Sequence, residues 1–224
     1  MKYFYIYIFT LLSLIVLVSY CNIYKFKENF TNNSKNYILL GDSILKNDAY
    51  VSDGKSIESL LIDANKNIYC YAQDNSKIVD VYSQIDKIPF ELDSTSTFIF
   101  LSAGGNNILS HYVDQNQDIT NTSVLKPMFS AYKNLIRSVQ KRLPRAKIVL
   151  IDIYYPYNLT YKRFHSIIEE WNNMIYDFAK NPKNNIYGVI RISSHLTQND
   201  DFSFSIEPSS HGGKKIADLI LSTY

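Results

Sequence analysis

From residue 37 to residue 192 the chain repeats one pattern: a short run of strand-forming residues, then a longer stretch with helical period. The strand-like runs are Tyr37–Leu40, Ile68–Ala72, Thr97–Leu101, Lys147–Ile153 and Tyr187–Ile192. Between them, Ile57, Leu60, Leu61 and Ala64 form one helical stripe, and Ile78, Val81, Tyr82 and Ile85 form another. Two longer stripes follow. Met128, Tyr132, Leu135, Ile136, Val139 and Leu143 recur at three- and four-residue steps until Pro144. Phe164, Ile167, Ile168, Trp171, Ile175 and Phe178 do the same before Pro182. A last helix is predicted from about Ser209 to Leu221. These stripes read as core, Trp171 included. Strands alternating with helices, with no hairpin signal between them, specify a parallel sheet covered on both faces. The expected fold class is therefore α/β, with a five-stranded parallel sheet. Right-handed crossovers bring every strand's carboxyl end to one edge, where α/β folds place their chemistry.

Composition narrows the partners. A chain of 224 residues that is 46% apolar can build one domain with a sizeable core. The net charge is only +2, and no Lys/Arg cluster has the density of a nucleic-acid face. Cys21 and Cys70 cannot form a disulfide framework, and no Cys, His and carboxylate spacing resembles a zinc site. Neither a metal nor a cofactor is expected.

The N-terminus stands apart. No charged residue occurs from Tyr3 to Tyr24, between Lys2 on one side and Lys25 and Lys27 on the other. About 20 apolar residues span a bilayer, so residues 1–24 read as a single-pass transmembrane anchor or a signal peptide. Residues 25–36 read as a polar linker, and residues 37–224 as the domain. The expected location is membrane-anchored or secreted, with membrane contact through the N-terminal segment. Lysines on both flanks leave the orientation open. Asn-x-Ser/Thr sequons at Asn29, Asn32, Asn121 and Asn158 would suit an exported domain, but a chain so rich in these residues produces about as many by chance.

The residues just after each strand are small, polar or flexible. Gly41-Asp42-Ser43 follow the first strand, "AQDNSK" (72–77) the second, "SAGGNN" (102–107) the third, and "NDDFSFSIEPSSHGG" (199–213) precedes the last helix. Together they suit acyl transfer. Ser43, at the mouth of a helix, is a candidate nucleophile if a base can take its proton. Backbone N–H groups near Ser43 and Asn75, with the side-chain amide of Asn106, can converge as an oxyanion hole, and Gly104-Gly105 let the backbone aim that amide. Each piece alone is more often a turn, a loop or a helix cap. Their shared placement after successive strands raises the catalytic reading above the bland one.

"ILLGDSIL", "LSAGGNNIL" and "IEPSSHGGKKIA" resemble the first, third and last blocks of the SGNH, or GDSL-type, esterase and lipase superfamily. The resemblance spans about residues 37–221. It implies a flavodoxin-like three-layer α/β/α sandwich and metal-free ester hydrolysis through a serine. Carried over by position, Ser43 matches the nucleophile and Asn106 the oxyanion asparagine of a Gly-x-Asn motif begun by Gly104. Asn75 stands where a glycine N–H normally completes the hole. Asn tolerates positive φ better than most residues, so the N–H can still be presented.

The last block departs from the family. No Asp-x-x-His occurs: His111, His165, His195 and His211 are preceded three residues earlier by Ile108, Lys162, Ile192 and Pro208. In register with Pro208 and Gly212-Gly213, Glu207 falls where the histidine would be. Three readings stay open. Glu207 is itself the base, with Asp200 or Asp201 nearby; or His211, one helical turn on, reaches back to Ser43; or the domain binds an acyl or glycan ligand with weak or no turnover. A carboxylate of ordinary pKa is a poor base toward serine unless burial raises it. The function expected is thus a serine esterase acting on an O-acetyl glycan, a short-chain ester or a lipid. The alternative is a ligand-binding domain on the same fold. A phosphate- or nucleotide-binding protein fits less well, because no Gly-rich phosphate loop follows the first strand.

Overall fold

In the computed structural model, residues 35–223 are described except 65, 115–117 and 119–121, together with positions 13 and 19. Apart from those two positions, the predicted anchor (1–24) and most of the linker therefore lie outside the described residues. Among the described residues no helix is long and apolar enough to cross a membrane.

Five strands, β1 (Asn36–Gly41), β2 (Asn67–Cys70), β3 (Thr97–Ser102), β4 (Lys147–Ile151) and β5 (Gly188–Ile190), form one sheet in the order β2-β1-β3-β4-β5. All four pairings are parallel. The helices are α1 (Ile57–Asp63), α2 (Val81–Asp86), α3 (Gly105–Leu109), α4 (Leu125–Arg142), α5 (His165–Lys180) and α6 (Ser210–Thr223).

Successive strand residues point to opposite faces, and the core divides accordingly. Ile38, Leu40, Ile99, Leu101, Ile148 and Leu150 pack with residues of α2, α4 and α5. Tyr37, Leu39, Phe98, Phe100, Val149 and Ile151 pack with residues of α1 and α6. Two such layers enclose the sheet in an α/β/α sandwich, as predicted. The order 2-1-3-4-5 reverses direction between β1 and β3, and the crevice at such a switch point is where this class of sheet binds ligands.

Three local features differ from the sequence reading. In α2 the buried row is Val81, Gln84 and Ile85, while Tyr82 is 37% exposed. An apolar stripe drawn only through apolar residues passed over the glutamine at the right helical spacing. No helix follows β1 directly; Ser43 lies in a turn closed by Leu45 N–H and Lys46 N–H on the Asp42 carbonyl, both at 3.0 Å. Finally, the segment before α6 contains a short antiparallel hairpin of β6 (Phe202–Ser203) and β7 (Glu207–Pro208), with Ser203 opposite Glu207. Its turn carries Phe204 at φ 47° and Ser205 at φ 76°. Neither is a residue that announces positive φ, so the hairpin had no turn signal to read.

Candidate active site

The Ser43 turn depends on a glycine. Gly41 has φ 125°, and a Cβ there would stand 1.6 Å from the Ser102 carbonyl oxygen of β3. Only a residue without Cβ lets the end of β1 lie so close to β3. Asp42 then turns inward and is 2% exposed. Its Oδ1 accepts from Ser102 Oγ at 2.9 Å and from the Ile44 N–H at 3.2 Å. Burial pushes its carboxyl up to about 7, against the pull of those two hydrogen bonds, and the nearby charge of Glu207 adds to the rise. Ser43 itself is 7% exposed.

Gln84 joins this turn to the next loop. Fully buried, its amide accepts from Gly41 N–H at 2.8 Å, donates to the Gly41 carbonyl at 2.8 Å and donates to Ser76 Oγ at 3.1 Å. Asn75 beside it has φ 57°, the positive value its position was expected to need. Its backbone N–H, however, donates to Asp74 Oδ1 at 2.8 Å and its side chain donates to Asp74 Oδ2 at 3.1 Å. The N–H expected to complete an oxyanion hole is therefore held by the adjacent carboxylate.

Asn106 is better placed. Gly104, at φ 117°, opens the short helix α3, and a Cβ on it would be 2.4 Å from Cζ2 of the buried Trp171. Asn106 Nδ2 donates one hydrogen to the Ser76 carbonyl at 3.1 Å, which orients the amide. An NH2 group carries a second hydrogen. Asn107 has a structural task, its Oδ1 accepting from Ile78 N–H at 2.9 Å.

Glu207 reaches the same pocket from β7. Its Oε2 is buried with no hydrogen-bond partner among the described residues. Burial raises its pKa, the nearby Ser43 side chain works against the rise, and the Asp74 charge adds to it. Asn47, 1% exposed, pins this strand to the Ser43 loop: its Nδ2 donates to the Pro208 carbonyl at 3.3 Å and its Oδ1 accepts from the first N–H of α1 at 2.9 Å. Tyr154, buried at the end of β4, donates to the Ile206 carbonyl and fixes the residue before Glu207.

His211 and Asp201 are placed elsewhere. The His211 ring is half exposed and meets Asp201 Oδ1 at 2.9 Å through Nδ1, so the helix geometry expected to send it back to Ser43 sends it to the β6 end of the hairpin. Asp201 is fully buried and belongs to the scaffold. Lys215 Nζ lies 2.7 Å from its Oδ1, and the N–H groups of Thr197 and Gln198 donate to its Oδ2 at 2.8 and 2.9 Å. Burial alone would raise its pKa, but these partners bring it below the ordinary carboxylate value. Asp200, Asp201 and His211 hold ligand-type atoms within 4.8 Å of one another, and both oxygens of Asp201 already pair with the Lys215 ammonium.

Ser43, Asn106 and Glu207 thus line one narrow cleft of about 50 Å³, together with Asp42 and with Ile44, Ile108, Ile153, Phe164 and Ile168 as apolar wall. A hydroxyl, a carboxylate with an unsatisfied oxygen and an amide donor facing an apolar cavity can bind a carbonyl compound and carry off the hydroxyl proton as its oxygen meets the carbonyl carbon. Gln84, Asn47 and Tyr154 went unnoticed in the sequence, since nothing local marks a residue whose partner lies 43 to 161 positions away.

No protein-family model matches the chain, and no curated protein matches it. Solved structures do. A member of the lipolytic protein G-D-S-L family from Veillonella parvula superposes with TM-score 0.62 at 19% identity, covering 85% of this chain and 98% of its own. Phospholipase A1 from Streptomyces albidoflavus gives 0.63 at 16% identity, covering 85% and 100%. The family 3 carbohydrate esterase of Clostridium thermocellum gives 0.58 at 19% identity, covering 85% and 94%. The chain has the fold of these GDSL-type proteins.

Proposed function

We propose that this protein is a serine esterase of the SGNH type in which Glu207 replaces the usual histidine base. Ser43 Oγ attacks the ester carbonyl carbon while its proton passes to Glu207. The oxyanion is held by the Ser43 N–H and the free hydrogen of Asn106 Nδ2. Collapse of this intermediate breaks the C–O bond, and the leaving alkoxide takes the proton back from Glu207. Water then attacks the acyl-enzyme, again giving its proton to Glu207; collapse releases the acid and returns the proton to Ser43. The observation that carries the proposal is the shared pocket of Ser43, Asn106 and Glu207, with Glu207 Oε2 buried and unpartnered. A carboxylate whose pKa burial has raised is a stronger base than a solvated one, the adjustment a histidine-free site requires. The fold shared with lipolytic, phospholipase and carbohydrate-esterase structures agrees with ester chemistry. The substrate class proposed is a lipid or an O-acyl glycan ester, either of which an exported or membrane-anchored domain would meet.

A second reading keeps the pocket but not the turnover: no histidine lines the cleft among the described residues, as in a domain that binds an acyl or glycan ligand. Labelling with a fluorophosphonate separates the two. Wild type and His211→Ala are expected to label and to hydrolyse p-nitrophenyl acetate; Ser43→Ala should do neither, and Glu207→Gln should lose most turnover. Equal turnover by wild type and Ser43→Ala would overturn the esterase proposal for that substrate.

A further inference from the structure

The connection between β4 and α5 crosses the mouth of the cleft, and it has an unusual surface. Pro156, Tyr161 and Phe164 turn inward and line the cleft beside Ser43. Tyr157 and Leu159 turn outward, 55% and 80% exposed. The segment is well anchored. Asn158 Oδ1 accepts from Thr160 N–H at 2.9 Å, capping a 3₁₀ turn over Leu159–Phe164, and His165 Nε2 lies 3.2 Å from the Pro156 carbonyl. Phe164 is buried beneath it. A fixed backbone therefore holds a leucine and a tyrosine in water, next to an apolar cavity. Scattered exposed apolar residues are ordinary. Here, however, they share an eleven-residue strap with charges of one sign only. Lys162 and Arg163 are exposed and make no ion pair among the described residues, although the Arg163 guanidinium lies 4.9 Å over the Phe164 ring, and no Asp or Glu occurs between Asp152 and Glu169.

We propose that this strap, residues 155–165, seats the cleft on an anionic lipid surface. Tyr157 and Leu159 enter the headgroup boundary, and Lys162 and Arg163 face the anionic headgroups. Amphipathic basic segments bind membranes by this combination of buried apolar area and charge attraction. Two features choose a bilayer over a protein partner: the charge is complementary to anionic headgroups, and Pro156 lines both the cleft and the neighbouring groove that Tyr157 and Leu159 line. An ester carried in the lipid phase would then pass from membrane to Ser43 along apolar surface. That consequence deepens the esterase proposal and rests on it; the docking itself does not.

Residues 3–24 could hold the full chain on a vesicle unaided, so vesicle binding alone is not the readout. The test is hydrogen–deuterium exchange of the full chain with vesicles of phosphatidylcholine alone, or of equal parts phosphatidylcholine and phosphatidylglycerol. The expected result is protection of peptides covering 155–165 with the anionic vesicles, weak on neutral ones. The double variants Tyr157→Ser/Leu159→Ser and Lys162→Ser/Arg163→Ser should each lose it, the latter through roughly tenfold or more weaker attraction of the strap. Fluorophosphonate labelling of Ser43 in solution should be unchanged in both variants, because none of the four residues lines the cleft. Exchange at 155–165 that ignores vesicles, whether or not the chain sediments with them, would overturn the proposal. So would protection that is equal on neutral vesicles or survives in both variants. A chain that shows the protection but never labels with fluorophosphonate would instead refute the esterase and leave the docking standing.

Discussion

Asp42→Asn should make the protein more stable in alkaline solution and leave it little changed in acid. Asp42 is buried where it lines the cleft, and its carboxyl is pushed from an ordinary value near 3.8 up to about 7, chiefly by loss of solvent. The folded protein thus binds a proton that the unfolded chain has already released over the interval from about pH 4 to about pH 7. Because the folded state holds more protons there, stability falls as pH rises, and the loss is complete above about pH 7. A shift of about 3 units at about 1.4 kcal/mol each corresponds to about 4 kcal/mol. Asparagine cannot ionise, and its Oδ1 can still accept from Ser102 Oγ and Ile44 N–H, the two donors that Asp42 Oδ1 holds. Urea unfolding of wild type and variant, followed by far-UV circular dichroism from about pH 4 to about pH 9, measures the difference. The variant's advantage should grow by a few kcal/mol across the interval and flatten above it. A difference that stays constant with pH would show that Asp42 ionises as easily in the fold as in water, and would refute the burial argument.

Other outcomes follow from the same geometry. Asn106→Ala should lower kcat by about 10²–10³ with little change in KM, because its donor acts on charge that develops only in the transition state; steady-state kinetics on p-nitrophenyl acetate will show it. Gly104→Ala should cost about 2–4 kcal/mol in urea unfolding, from a non-glycine residue at φ 117° and a Cβ 2.4 Å from Trp171. The acid limb of kcat/KM should have its midpoint above the ordinary Glu value, since burial raises Glu207, with turnover lost as pH falls through that midpoint. His211→Ala should leave the limb in place; if the limb disappears with the histidine, Glu207 is not the base.

What the sequence determined by itself is what neighbouring residues decide among themselves. The period of apolar residues specified five parallel strands and the helices over them, because burial on a given face depends on local spacing. The positive φ of Asn75 was legible for a similar reason, because it is a steric property of one residue that asparagine bears better than most; the flexibility of Gly41 and Gly104 was legible in the same way. Which candidate base enters the cleft was not legible. It turns on a hairpin that passes through Phe204 and Ser205 at positive φ with no residue to announce it, and that places Glu207 beside Ser43. It turns equally on Asp201, which Lys215 and two backbone N–H groups hold in place and which in turn draws His211 to itself. Gln84 and Asn47 complete the site through bonds to residues far away in the chain. Histidine and glutamate stood four positions apart as rival candidates; long-range packing, which no local pattern encodes, put only the glutamate in the cleft.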